Sequence, residues 1–476
     1  MIPILSGNVA SALGSGFDVD NSGRFNRADS AFLSRSASST SNRRTFTFSA
    51  WIKRSRISNA DATQFLFGTQ TDSSNRFDIG LHNANNLVVK EKLSGTTNID
   101  FTTNRLLRDP TAWYHIIIAI DTTQSTESNR VKIYVNGSQE TSFADSNYPD
   151  EDYDTLVNVS GRTYTVAQEG GNNYYFGGYM AEVCLIDGSQ LAPTSFGEFD
   201  DDSPTIWKPK DVSGLTFGTN GFYLDFQNSA ELGTDVSGNS NTFTENNLAA
   251  VDQATDTPTN NFCTLNPIDA SALSNTANTF SEGNCKITDG SNNYLLAQST
   301  FAVTAGKWYW ETFIDATTSN TVSGTGIADV DGFDRTDGAA NTAYGWIYAP
   351  DGDKRNAGTS SSYGDTYAAN DVIGIALDMD NKAIYFSKNG TWQASGDPTS
   401  GASKTNAAYT NLTGTVAAHV YDGSSSEAHE FSLNFGGCPA FSISSGNADA
   451  NGYGNMEYAI PSGYYTLCTK NLAEYG

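Results

Sequence analysis

Trp113-Tyr114-His115-Ile116-Ile117-Ile118-Ala119-Ile120-Asp121, and after a polar interval Val131-Lys132-Ile133-Tyr134-Val135-Asn136-Gly137, decide the fold class of this chain. The first run is almost wholly apolar and bounded by polar residues, as a strand covered on both faces requires. The second alternates apolar with polar side chains and ends in Asn-Gly, whose residues tolerate the positive φ of a two-residue hairpin turn. The same unit returns far downstream. Val372-Ile373-Gly374-Ile375-Ala376-Leu377-Asp378 leads through a polar turn to Ala383-Ile384-Tyr385-Phe386-Ser387-Lys388 and then Asn389-Gly390. Each copy is a buried strand ending in Asp, a strand carrying Tyr, and Asn-Gly. Any antiparallel meander yields such a pattern, but its repetition in one order predicts two sandwiches of the same kind.

Outward from these runs the text stays strand-like. Arg44-Thr45-Phe46-Thr47-Phe48-Ser49-Ala50-Trp51-Ile52 and Lys307-Trp308-Tyr309-Trp310-Glu311-Thr312-Phe313-Ile314 alternate as half-buried strands do. Between Tyr175 and Ile186 lies another long strand or strand pair, in which Gly177-Gly178 would permit a bulge. The 476 residues include 44 Gly, 23 Tyr and 26 Phe, with only 17% charged. Ser, Thr and Asn crowd the connections, and no segment holds a 3.6-residue period or a heptad. The expected fold class is all-β: two antiparallel sandwiches joined by an extended connector. The expected boundaries are 1–210, 211–262 and 263–476, the connector being rich in Asn, Thr, Asp and Ser with few adjacent apolar residues. Within it Phe222, Leu224 and Phe226 alternate and should add a strand to a neighbouring sandwich.

The segments FTFSAWIKRS (46–55), AWYHIIIAIDTT (112–123), VKIYVNG (131–137) and YFGGYMAEVCLIDG (175–188) resemble the laminin-G-like, concanavalin-type jelly roll. GKWYWE (306–311), DVIGIALDMDNKAIYFSKNGTW (371–392) and FSLNFGG (431–437) resemble the SPRY domain, also a concanavalin-like sandwich. GFYLDFQNSAELGTDVSGNSNTFTENNL (221–248), PTNNFCTLNP (258–267) and GYYTLCTKNL (463–472) resemble structural proteins of marine bacteriophages. The resemblance implies a virion component, such as a tail fibre, tail-associated protein or capsid fibre, made in the host cytoplasm. It implies no particular ligand, because concanavalin-like folds carry lectins, glycanases and protein-binding modules alike. The chain departs from ordinary tail fibres in showing no virion-anchoring domain, β-helix repeat or C-terminal chaperone.

Charge narrows the partners. Lys and Arg total 27 against 53 Asp and Glu, a net charge of −26 that repels phosphate backbones, so no nucleic acid is expected. Arg43, Arg44, Lys53, Arg54 and Arg56 form the densest basic segment, most simply a solvated strand end. Cys184, Cys263, Cys285, Cys438 and Cys468 are odd in number and unpaired in spacing, against a disulfide framework or zinc site. The opening MIPILSGNV has no basic n-region or long apolar run, so neither a signal peptide nor membrane insertion is expected.

Catalytic signals are weak. A retaining glycanase needs two carboxylates about 5–5.5 Å apart across the sugar, yet Asp150 to Asp154 and Glu198 to Asp202 sit in loop-like, Pro-bearing text. His82, His115, His419 and His429 are scattered, and His115 lies inside an apolar strand, where a structural role is favoured. Asp18-Val19-Asp20-Asn21-Ser22-Gly23, continuing to Asn26 and Asp29, approximates a Ca2+ loop with oxygens at alternate positions. Asp329, Asp331 and Asp334 offer a second oxygen-rich loop; Asp378 to Asn381 reads instead as a hairpin turn. Ca2+ is the one cofactor these spacings raise. For recognition, loop-like aromatics stand out at Tyr344, Trp346, Tyr348, Tyr363 and Tyr367, with Trp392, Tyr148 and Tyr153 besides, since aromatic faces give contact area at low entropy cost.

The expected function is a non-enzymatic phage appendage that binds host-surface glycans or other virion proteins. Symmetric assembly, with a trimer favoured, would give a weak lectin-like site avidity. The alternatives are a purely structural decoration or adaptor protein, and a glycan-degrading enzyme.

Overall fold

In a computed structural model of the chain, residues 4–5, 16–57, 63–170, 174–268, 278–289, 295–317, 323–332, 339–423 and 429–476 are described. Two compact units divide it: Ser15–Thr259, and Asn260–Gly476 together with Met1–Gly14. Both are antiparallel β-sandwiches, as composition and alternation require.

In the first unit one eight-stranded sheet has Trp113–Asp121, Thr45–Arg54 and Gly178–Asp187 at its centre. The other runs Phe143–Asn147, Thr96–Leu106, Asn86–Leu93, Asn75–Leu81, Gln64–Asp72, Thr163–Val166, Phe32–Ser36, Thr244–Asn246. Between them the inward positions of each strand, such as Phe46, Phe48, Phe77, Ile79, Ile116 and Ile118, form one core. The Trp113–Asp121 strand is covered on both faces, as its apolar run requires: Ile117 and Ala119 pack outward against Phe196, Val212 and Phe217. Asn136 (φ 48°) and Gly137 (φ 74°) make the hairpin turn into Ser138–Gln139, and Asn389 (φ 48°) and Gly390 (φ 78°) repeat it before Thr391–Trp392. The repeated unit is therefore the same meander in both sandwiches.

The second unit pairs a seven-stranded sheet, centred on Val416–Asp422 and Ser323–Asp329, with an eight-stranded one centred on Lys307–Ala316 and Val372–Asp378. Its C-terminal stretch is strapped over the outer face of the latter. Glu311 holds it there, accepting the backbone N–H groups of Glu457 and Tyr458 at 2.8 Å. Asp449 pins the same strap by accepting from the Thr466 N–H at 3.0 Å and from Asn471 Nδ2 at 2.7 Å.

Three sequence expectations need correction. The stretch 211–262 is no extended connector. Phe222–Leu224 pairs with Gly178–Asp187, as its alternation suggested, but Thr244–Asn246 and Gln253–Ala254 also join the two sheets of the first unit. Phe226, Leu232 and Phe243 plug its core. The polar residues resemble a linker in composition because they satisfy irregular backbone: Asp235 accepts the Tyr223 and Ser237 N–H groups, and Asn241 donates to the Gly221 carbonyl. Secondly, Ile4–Leu5 does not belong to the first sandwich but pairs in parallel with Phe301 and Ala302. Thirdly, the register shift in Gly178–Asp187 falls between Ala181 and Cys184, at Glu182 (φ 51°), and not at the double Gly.

Candidate functional site

The two sheets of the first unit differ in what lies on their outer faces. Residues 188–217 roof one of them. There Trp207 Nε1 donates to His115 Nδ1 at 2.8 Å, which leaves Nε2–H to face Ser49 Oγ at 2.8 Å. His115 also stacks on Trp51 at 4.5 Å, and burial pushes its pKa down to about 3, so it is the neutral structural histidine its apolar strand suggests. The other sheet keeps a half-exposed outer face, and that face carries a cavity of about 360 Å³.

Cross-strand register builds the cavity. One row across the sheet is Phe65, Gly80, Val88, Thr102, Asp145, and the adjacent row is Gly68, Asp78, Lys90, Asp100, Asn147. Neighbouring strands lie about 4.8 Å apart, so Phe65 and Val88 flank a position where Gly80 presents no side chain. A Cβ there would stand 2.8 Å from the Gln64 carbonyl and 3.0 Å from the Phe65 ring. Gly68 does the same beside Asp78, where a Cβ would approach Oδ1 to 3.2 Å. Glycine thus opens the floor, Phe65 and Val88 make an apolar side, and the second row supplies charge. Tyr174, 42% exposed, stands 6.4 Å from the Phe65 ring.

The charges are arranged in pairs. Lys90 Nζ meets Asp100 Oδ2 at 2.7 Å. Arg76 Nε lies 3.2 Å from Asp78 Oδ2, and its guanidinium also pairs with Glu169. Asp78 is 1% exposed, and among the described residues neither of its oxygens accepts a hydrogen bond. Burial raises its pKa to about 7 against the opposing pull of Arg76. His82 and Asp145 stand exposed at the mouth.

Apart from His82, named only among the scattered histidines, none of these residues was singled out from the sequence. The signal was strict alternation: Arg76-Phe-Asp78-Ile-Gly80-Leu-His82, Val88-Val-Lys90 and Asp100-Phe-Thr102 each turn polar or small side chains away from the core. Of the five aromatics singled out for recognition, Trp346, Tyr348, Tyr363 and Tyr367 serve packing. Trp346 and Tyr348 lie on the buried strand Gly345–Tyr348, and both rings are in the core with Tyr367. Tyr367 donates to the Tyr348 carbonyl at 2.9 Å, and Tyr363 packs half-buried on Tyr348 and Phe386. Tyr344 alone of the five is exposed, at 43%. In the first unit Tyr148 packs on Phe101, and the Tyr153 hydroxyl donates to Glu91 at 2.8 Å.

Of the two Ca2+ candidates the first does not form one loop, and the second lies only partly within the described residues. Ser22 and Gly23 lie in the strand Ser22–Phe25, so residues 18–29 do not wrap as a single loop. Asp18, Asp20 and Asp29 are exposed, with Asp29 accepting from Asn26 Nδ2 at 2.8 Å. Asp329 closes a turn by accepting the Asp331 N–H at 3.1 Å, and Asp334 lies outside the described residues. Among the described residues no group of three or more His, Cys, Asp or Glu side chains gathers as metal ligands would. The basic segment is absorbed locally: Lys53 Nζ meets Asp256 Oδ2 at 2.6 Å, Arg54 donates to Asn85 and the Leu107 carbonyl, and Arg44 pairs with Asp152 and Asp154. Among the described residues no helix is long and apolar enough to cross a membrane.

Comparison with known proteins places domains on both units. Residues 26–191 match the family described as the concanavalin A-like lectin/glucanases superfamily, and residues 307–425 match the SPRY domain family. The chain carries one domain of each kind, and the pairing points to binding of carbohydrate or protein. Among solved structures, the SPRY domain of human HERC1 is 18% identical, covering 35% of this chain and 95% of its own, with a TM-score of 0.28. A pentraxin from Limulus polyphemus is 14% identical over 37% of this chain and 80% of its own, with a TM-score of 0.28. A candidate carbohydrate-binding protein from Bacteroides ovatus is 17% identical over 48% of this chain and 59% of its own, with a TM-score of 0.34. No curated protein matches the chain.

Proposed function

We propose that this chain is a bacteriophage virion appendage, a tail fibre, tail-associated protein or capsid fibre, that holds a host-surface glycan in the outer-face cavity of its first sandwich and does not cut it. The observation that carries this is the cavity's division into an apolar side, Phe65 and Val88 over Gly80, and a polar side, Lys90, Asp100 and Thr102. A pyranose has the same two characters, an apolar ring face and a hydroxyl edge, and sites of this kind bind with a few placed polar groups on an apolar base. Binding without hydrolysis is supported by Lys90, which lies between Asp78 and Asp100 in the cross-strand row and already holds the Asp100 carboxylate. A carboxylate committed to an ammonium is a poor nucleophile or base. The virion role is supported by the likeness of residues 221–248, 258–267 and 463–472 to phage structural proteins. Assembly as a symmetric homo-oligomer, with a trimer favoured, would multiply a single weak site.

Two experiments test this. Immunogold labelling of intact virions should mark tail or capsid projections, and absence of label would refute the virion role. Fluorescently tagged chain should adsorb to host cells, and Lys90→Met with Asp100→Asn should abolish adsorption with little change in melting temperature. Equal adsorption by that variant would move the binding site elsewhere.

A further inference from the structure

Taking the outer-face cavity as a glycan site, we infer that its ligand is an uncharged saccharide, selected against uronate, sialylated and sulfated sugars by the way the cavity's charges are already committed. Among the described residues Arg76 and Lys90 are the arginine and lysine side chains that line the cavity, with the His82 ring exposed at its mouth. A site for an anionic sugar would aim such a group at open space, as arginine and lysine do in carboxylate and sulfate sites. Here Arg76 is engaged by Asp78 and Glu169, and Lys90 by Asp100. The remaining charge is negative: Asp145 stands exposed at the rim on the edge strand Phe143–Asn147. An incoming carboxylate would have to displace an internal carboxylate and approach Asp145, within a molecule of net charge −26. Like charges brought together in a partly desolvated cleft are disfavoured more than in bulk water.

An uncharged hydroxyl edge meets none of this opposition. An ammonium carries three donors, so Lys90 can give one to Asp100 and direct the others at hydroxyl oxygens. Asp100 and Thr102 accept from hydroxyl hydrogens beside it. The ion pair then works as a fixed dipole that reads vicinal hydroxyls, and the Phe65 and Val88 side takes the ring face.

The test is titration calorimetry of the full chain with neutral trisaccharides of glucose, galactose and mannose, beside uronate and sulfated trisaccharides. At least one neutral saccharide should bind, its affinity nearly independent of ionic strength, and the uronate and sulfated ones should each bind at least tenfold more weakly. Lys90→Met with Asp100→Asn should lower the neutral affinity at least tenfold. Asp145→Lys, which reverses the charge at the rim, should raise uronate affinity severalfold relative to neutral affinity. Equal or tighter binding of an acidic saccharide, lost in the double variant, would overturn the selectivity and leave the glycan site standing. Binding of no saccharide, by a chain that still adsorbs to host cells, would overturn both.

Discussion

Asp78 sits in an environment at odds with its chemistry. A carboxyl at 1% exposure, with no hydrogen bond to either oxygen among the described residues, titrates near pH 7 because burial penalises its charge more than Arg76 relieves it. Its folded pKa therefore lies above the unfolded value of about 3.9. The stability it contributes is fully present below about pH 4 and is lost as pH rises through about 7. Asp78→Asn removes that loss, so the variant should match the parent at pH 4 and exceed it by on the order of 4 kcal/mol at pH 8. Urea unfolding at both pH values checks this; a variant less stable at pH 8 would show that the ion pair with Arg76 outweighs desolvation. No sequence feature marks Asp78, Lys90 and Asp100 as a group. They sit on three strands, and only the register Asp78–Lys90–Asp100 makes them neighbours. A slip of one residue would turn all three into the core. The aromatic run Tyr344 to Tyr348 misled for a related reason: its strand is only Gly345–Tyr348, too short for alternation to be distinguished from a loop.

Elements were far more legible than sites. The Trp113 to Asp121 run, both Asn-Gly turns and the alternating strands around Trp51 and Trp310 stand where their side-chain patterns put them. What composition hid was the layer made of 211–259, where sparse apolar residues plug the core and polar ones satisfy irregular backbone. The anchor of its last part is a buried ion pair. Lys53 and Asp256 are 2% and 1% exposed and 2.6 Å apart, and Asp256 also accepts from Trp113 Nε1 at 3.1 Å. Asp256→Ala leaves the Lys53 ammonium buried without its carboxylate, which costs about 3–5 kcal/mol. Its melting temperature should fall sharply, and limited proteolysis should cut within 250–259 first. Unchanged resistance there would mean that Gln253–Ala254 holds the segment by strand pairing alone.

At the scale of the whole molecule, the two units make a truncation test. Residues 15–259 include Phe222, Leu224, Phe226, Leu232 and Phe243, all in the first core. Removing five such side chains forfeits roughly 2 kcal/mol each, comparable with the about 5–15 kcal/mol by which domains are stable. A fragment 15–259 should therefore unfold cooperatively, while 15–210 should aggregate or bind hydrophobic dye. A soluble, cooperative 15–210 would place the domain end where composition alone suggested. The same scale frames the function: one sheet of the first unit is roofed and the other bears a cavity, which gives the molecule a face for holding a ligand. The measurement that tests this most directly is incubation of the intact chain with purified host-surface polysaccharide, reading bound protein and released reducing ends together. The account predicts saturable binding, its loss in Lys90→Met with Asp100→Asn, and no reducing ends above background. Undiminished binding by the variant, or release of reducing ends by the parent chain, would contradict it.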